Sequence, residues 1–153
     1  HVIPPAGARI MDLQHPDRKM SKSELSPTGT IGVLEPPDAI ARKIKRAVTD
    51  SDSEVRFDHV EKPGISNLLS ILGAATSTDP LPLADSYERY GDLKNDTAEA
   101  VIQLLEPIQK RFFELQADPG ETQRLLQLGA SKAQEISSKT LARAKQNSGL
   151  LQP

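Results

Sequence analysis

Two lysines and two serines fall within five residues at Lys19-Met20-Ser21-Lys22-Ser23. Lysine supplies a compact, mobile positive charge and serine a neutral hydroxyl donor. A loop of this composition can hold phosphates and follow a triphosphate as charge moves toward a departing pyrophosphate. Taken alone, the segment also reads as a solvated basic loop, the commoner fate of short lysine-serine runs.

The elements that must position this segment can be read from periodicity and punctuation. Pro4, Pro5 and Gly7 make residues 1–8 an extended entry. Residues 9–13 alternate Ile10 and Met11 across two faces, the signal of a short strand leading into the lysines. After them, residues 24–35 carry Pro27, Gly29 and Gly32, which permit hinge-like torsions. Such a stretch is either a mobile loop, whose closure would favour a transition state over the ground state, or an ordinary connector. Pro36-Pro37-Asp38 opens a helix expected over 36–48, with Ile40, Ile44, Ala47 and Val48 as its buried stripe and Arg42, Lys45 and Arg46 opposite. An extended piece at 54–58 and the break at Lys62-Pro63-Gly64 precede a helix over 65–72 that buries Ile65, Leu68, Leu69 and Leu72 and is capped at Gly73. Asn67 in that helix reads as a cap or an internal hydrogen-bonding group. Residues 74–82 read as a surface connection, and 83–90 as a short helix stopped at Gly91. A long helix over 94–115 is then interrupted by Pro107. Asp118-Pro119-Gly120 ends it. Two further helices, 121–128 stopped at Gly129 and 130–147 capped near Gly149, complete the chain. The last buries Ala133, Ile136, Thr140, Leu141 and Ala144 and aligns Lys132, Lys139 and Arg143 beside them.

The 153 residues are 37% hydrophobic and contain no run apolar enough to span a membrane, so a soluble chain is expected. Without cysteine there is neither a disulfide nor a thiolate metal site, and His1, His15 and His59 lack ligand spacing. No basic-then-apolar leader follows His1, and the absence of an initiator methionine suggests a segment of a longer protein. The formal net charge of -2 gives no global attraction to nucleic acid. Attraction, if any, is local. Arg9 to Arg46 holds eight basic residues against five acidic ones, and the sign reverses from Asp50 to Glu61. The five aromatic residues sit mostly at core-like spacing and offer no base-stacking platform.

Lys19-Met20-Ser21-Lys22-Ser23 resembles the second signature of class I aminoacyl-tRNA synthetases. In order and spacing, four other blocks resemble the C-terminal half of the bacterial-type tryptophanyl-tRNA synthetases: Gly7-Ala8-Arg9-Ile10-Met11-Asp12-Leu13, Lys43-Ile44-Lys45-Arg46-Ala47-Val48-Thr49-Asp50-Ser51, Lys62-Pro63-Gly64-Ile65-Ser66-Asn67-Leu68-Leu69 and Tyr90-Gly91-Asp92-Leu93-Lys94. The resemblance covers about residues 6–150. It implies a mainly α chain with two parts. Residues 1–35 would be the end of a nucleotide-binding α/β domain, one final parallel strand plus the signature loop. Residues 36–153 would be an antiparallel helical domain that receives the anticodon end of tRNA. It further implies ATP with Mg2+ and activation of tryptophan to its adenylate, followed by transfer to the terminal ribose of the tRNA. Lys19 and Lys22 would stabilise the β- and γ-phosphates, Ser21 and Ser23 would hold phosphates by hydrogen bonds, Met20 completes the signature, and the Ile10 backbone would lie near the adenine. A cytoplasmic homodimer follows from the same resemblance. The family's first signature and its amino-acid pocket are not in this sequence, so the chain reads as a fragment, inactive alone. A non-catalytic helical module that binds RNA or protein, and a tyrosine-specific relative, remain open alternatives.

Overall fold

The computed structural model describes residues 9–22 and 27–149 of the chain. The described residues are mainly helical and divide into two units, His1–Gln109 and Lys110–Pro153.

The first unit holds the core. Helix α1, Pro37–Lys45, starts as its sequence requires: Pro36 is extended at the N-cap, a proline fills the first turn and Asp38 faces the positive end of the helix dipole. Ile40 and Ile44 are fully buried. The helix ends three residues short of the expected 48, because Val48 donates its N–H to the Leu13 carbonyl (2.8 Å) instead of continuing the helical ladder. Val48 is consequently exposed rather than part of the stripe.

Helix α2, Pro63–Thr76, is buried over most of its length and reaches past the expected cap. Gly73 lies inside it. A Cβ there would come 2.6 Å from the Thr78 carbonyl oxygen, so the glycine serves close approach. The left-handed cap falls to Ser77, with φ 57°. The connection expected over 74–82 is accordingly shorter, and α3, Pro80–Ala84, begins early, with the Asp79 side chain accepting from the Leu81 N–H (3.0 Å).

Helix α4, Tyr90–Ala117, takes in both Gly91, expected as a stop, and Pro107. Leu93, Ala98 and Val101 join Leu13, Ile40, Ile44, Ile65, Leu68, Leu69 and Leu72 in one apolar cluster. By the usual area scale each large side chain so buried contributes about 1.5–3 kcal/mol, and this cluster is what the N-terminal segment rests on.

In the second unit, α5, Pro119–Asn147, is a single helix in place of the two expected. Asp118 caps it by accepting from the Glu121 N–H (3.0 Å), Gly149 follows it with φ 68°, and Gly129 is carried in its interior with open space around it. An interior glycine costs only about 1 kcal/mol relative to alanine, which a helix of this length absorbs. The stripe expected to be buried is exposed: Ile136 is 73% and Leu141 56% accessible.

Candidate phosphate-binding site

The expected strand over 9–13 is reduced to one antiparallel bridge, Met11 with Lys19. Met20 donates its N–H to the Ile10 carbonyl (3.0 Å) and Asp12 donates to Arg18 (2.8 Å), so the chain folds back as a tight hairpin. Asp12 builds the turn. Its buried carboxylate accepts from the N–H groups of Gln14 (2.7 Å) and His15 (3.0 Å), the side-chain-to-backbone pattern aspartate favours.

In an antiparallel pair the residue between two hydrogen-bonded positions points its own N–H and C=O outward. Met11 is in that position, and α2 supplies its partner. The Asn67 carboxamide accepts from the Met11 N–H (2.9 Å) and donates to the Met11 carbonyl (2.8 Å). A side-chain amide carries one acceptor and two donors, so a single residue can stand where the next strand's peptide group would stand. That is why no second bridge is needed to hold the segment.

The hairpin is also tied behind the turn. Leu13 donates to Gly29 (2.9 Å), and Gln14 donates through Nε2 to Arg46 (3.1 Å). Gly29 is buried where a Cβ would meet the Asp12 carboxylate at 2.0 Å. A Cβ at Gly32 would crowd Glu35. Neither glycine has a positive φ, and both serve close packing. Further along, Gln109 of α4 donates to the carbonyls of Val33 (2.8 Å) and Glu35 (2.9 Å). From residue 29 onward the connector is therefore pinned to the core.

The candidate residues emerge from this frame. Ile10 and Met20 are half-buried against the apolar cluster. Lys19, Ser21 and Lys22 are exposed, and neither lysine forms an ion pair among the described residues. Ser23 lies outside the described residues. The Ser21 carbonyl accepts from the Thr30 hydroxyl (3.1 Å), and the Thr30 carbonyl accepts from the Lys43 ammonium (2.7 Å), which also pairs with Glu35. Lys43 thus turns inward from α1, while Arg42 on its outer face pairs with Asp38 at 2.7 Å. Among the described residues no cluster of three or more histidine or carboxylate side chains is gathered to hold a metal.

A second polar cluster joins three of the blocks quoted above. The Lys62 ammonium, its side chain 3% exposed, lies 3.2 Å from Asp50, 3.0 Å from Asp52 and 2.9 Å from the Tyr90 hydroxyl. Tyr90 donates to Asp50 at 2.6 Å. Burial opposes the charge on Lys62, but its bonds with Tyr90, Asp52 and Asp50 outweigh it and hold the ammonium well above the ordinary lysine value. At Asp50 burial likewise pushes upward, and the bonds from Tyr90 and Lys62 prevail, leaving the carboxyl below its ordinary value. Lys94, pushed down by burial, donates to the Ala47 carbonyl (2.9 Å).

A family model described as tRNA synthetases class I (W and Y) matches residues 1–106. The chain belongs to that family. Within it, a tryptophan–tRNA ligase 1 of Streptomyces coelicolor is 45% identical over 150 residues, covering 98% of this chain and 45% of the relative. A tryptophan–tRNA ligase of Enterococcus faecalis is 48% identical over 146 residues, covering 94% of this chain and 43% of the relative. Among solved structures, the tryptophanyl-tRNA synthetase of Mycoplasma pneumoniae superposes with a TM-score of 0.84 at 34% identity, covering 94% of this chain and 44% of that one. This class I synthetase chain spans less than half the length of the relatives it matches, and no helix among its described residues is long and apolar enough to cross a membrane.

Asn67, Thr30 and Gln109 are what the sequence reading missed as parts of the site. Of these Asn67 carried a signal: a polar residue in an otherwise apolar buried stripe must find partners.

Proposed function

We propose that this chain supplies the phosphate-binding loop and the helical tRNA-binding domain of a tryptophan–tRNA ligase, which activates tryptophan with ATP and transfers it to its tRNA. Residues 1–35 are then the end of the nucleotide-binding domain, and 36–153 the helical domain. The observation that carries the reading is the pair of exposed lysines, Lys19 and Lys22, without carboxylate partners among the described residues, on a hairpin fixed to the core. The names of the relatives support tryptophan over tyrosine.

The donor set fits a triphosphate. Two exposed ammonium groups, without carboxylate partners among the described residues, and the Ser21 hydroxyl would hold the phosphates, and Mg2+, where it takes part, would supply further neutralisation of their charge. ATP supplies the activated phosphorus that the tryptophan carboxylate attacks. This chain's residues position and neutralise: Lys19 and Lys22 take up charge on the β- and γ-phosphate oxygens as pyrophosphate leaves, and Ser21 and Ser23 donate to them. The Ile10 backbone, half-buried beside Met20, forms the wall toward the adenine. The full-length protein acts as a cytoplasmic homodimer.

The test is amino-acid-dependent exchange of labelled pyrophosphate into ATP by the full-length protein that carries this chain, with tryptophan and tyrosine compared. Exchange with tryptophan alone is expected. Exchange with tyrosine alone would reassign the specificity, and none with either would leave a non-catalytic helical module, to be followed by tRNA binding.

A further inference from the structure

The phosphate-binding segment is gripped at its base by Asn67, and its far side is met by Thr30 of the connector that leads into α1. There the Thr30 hydroxyl donates to the backbone carbonyl of Ser21, between the two lysines, at 3.1 Å. Thr30 is not free to wander, because its own carbonyl accepts from Lys43 at 2.7 Å. Lys43 is fixed in turn. Its side chain is 17% exposed and paired with Glu35, whose same carboxylate oxygen takes the Gly32 N–H at 3.1 Å. The bonds run without a gap from the core-packed helix to the peptide that separates Lys19 from Lys22.

We propose that Thr30 and Lys43 are positioning residues for the phosphate-binding segment, holding the backbone at Ser21 so that both ammonium groups face one triphosphate. The inference rests on the functional reading above for the identity of the triphosphate, but not for the hold itself. An ammonium that answers a carbonyl and a carboxylate at once has its direction set, which a solvated surface lysine has not. Preorganisation of this kind lowers the ordering cost that phosphate binding would otherwise meet.

Two readouts test it. In the full-length protein, Thr30→Val keeps the shape and removes the hydroxyl. Loss of one neutral hydrogen bond should raise the KM for ATP in the exchange reaction roughly two- to tenfold, with the KM for tryptophan and kcat at saturating ATP unchanged. Thr30→Ser, which restores the donor, should return the KM for ATP to near the parent value. Combining Thr30→Val with Lys43→Met should add little to Lys43→Met alone, because Lys43 reaches Ser21 through Thr30 and the two bonds act in series. In the full-length protein without nucleotide, trypsin cleavage after Lys22 should quicken by a similar factor in Thr30→Val and not in Thr30→Ser. A parental cleavage rate in Thr30→Val overturns the proposal. So does a fall in kcat with an unchanged KM for ATP, the mark of a smaller folded fraction. If the parent protein shows no tryptophan-dependent exchange, the functional reading fails, and the cleavage rates decide the positioning by themselves.

Discussion

Replacing Asn67 by leucine isolates the clamp on Met11. The side chain is of similar size and 4% exposed in the parent, so packing changes little while both hydrogen bonds disappear. Each such bond is worth about 1 kcal/mol net, and a peptide group covered by an apolar side chain and left without a partner costs about 1–3 kcal/mol more. Met11 is half-buried, so water can reach part of its backbone, and the expected loss is about 2–3 kcal/mol. Urea unfolding should report it cleanly. The 153-residue chain has no tryptophan, and its two tyrosines, Tyr87 and Tyr90, both lie in the first unit, so in this chain tyrosine fluorescence follows that unit alone. At a urea dependence of about 1–2 kcal/mol/M the midpoint falls by about 1–3 M. Asn67→Asp supplies the sign check. Its buried carboxyl has a folded pKa above the unfolded value of about 3.9, so the folded state holds the proton over a range where the unfolded state has lost it. Below both values the acid still donates to the Met11 carbonyl. Between them, stability falls by about 1.4 kcal/mol per pH unit as pH rises, then levels off. A leucine variant within about 0.5 kcal/mol of the parent, or an aspartate variant whose deficit is flat with pH, would refute the backbone-clamp account.

Four other outcomes follow from the same geometry. Lys22→Ala in the full-length protein should slow tryptophan activation by ~10²- to 10³-fold while leaving the urea midpoint unchanged, since the side chain is exposed; an unchanged exchange rate would remove Lys22 from the chemistry. Gly29→Ala forces a methyl group onto the Asp12 carboxylate and should cost about 1–3 kcal/mol by urea unfolding. Tyr90→Phe removes a donor that holds the Asp50 carboxyl below its ordinary value of 3.8. Stability from a depressed carboxyl is present above the unfolded pKa and lost as pH falls through the folded one, so the variant should begin to unfold at a higher pH on acid titration, followed by Tyr87 fluorescence. At the alkaline end Lys62, held above its ordinary 10.5, contributes stability that is complete below that value and lost above it; the same variant should therefore also unfold at a lower alkaline pH.

Periodicity made the helical cores of α1, α2 and α4 legible, because Ile40 and Ile44, Leu68, Leu69 and Leu72, and Ala98 and Val101 repeat with the helix and are buried as expected. Punctuation was less dependable. Glycine signals a stop at Gly73, Gly91 and Gly129 alike, yet the first lets a carbonyl approach, the second lies in the first turn of a helix and the third sits in one. The same residue type answers several needs, and only the neighbours decide which. The apolar face of α5 was equally visible, but a stripe states that a surface is apolar and not what covers it. For the candidate site, the spelling of the loop singled out Lys19 and Lys22, which stand exposed on the hairpin. What holds the loop was hidden, since Asn67 and Thr30 act through backbone atoms that sequence spacing does not bring together.

The Asn67 clamp also sets an order in time. Its two atoms reach a residue 56 positions earlier in the chain. At about 5–20 residues per second on the ribosome, the hairpin, complete at Met20, is made roughly 2–9 seconds before the amide that fixes it. Through that interval the lysine segment has left the site of synthesis without its anchor. It acquires a settled shape only when α2 arrives.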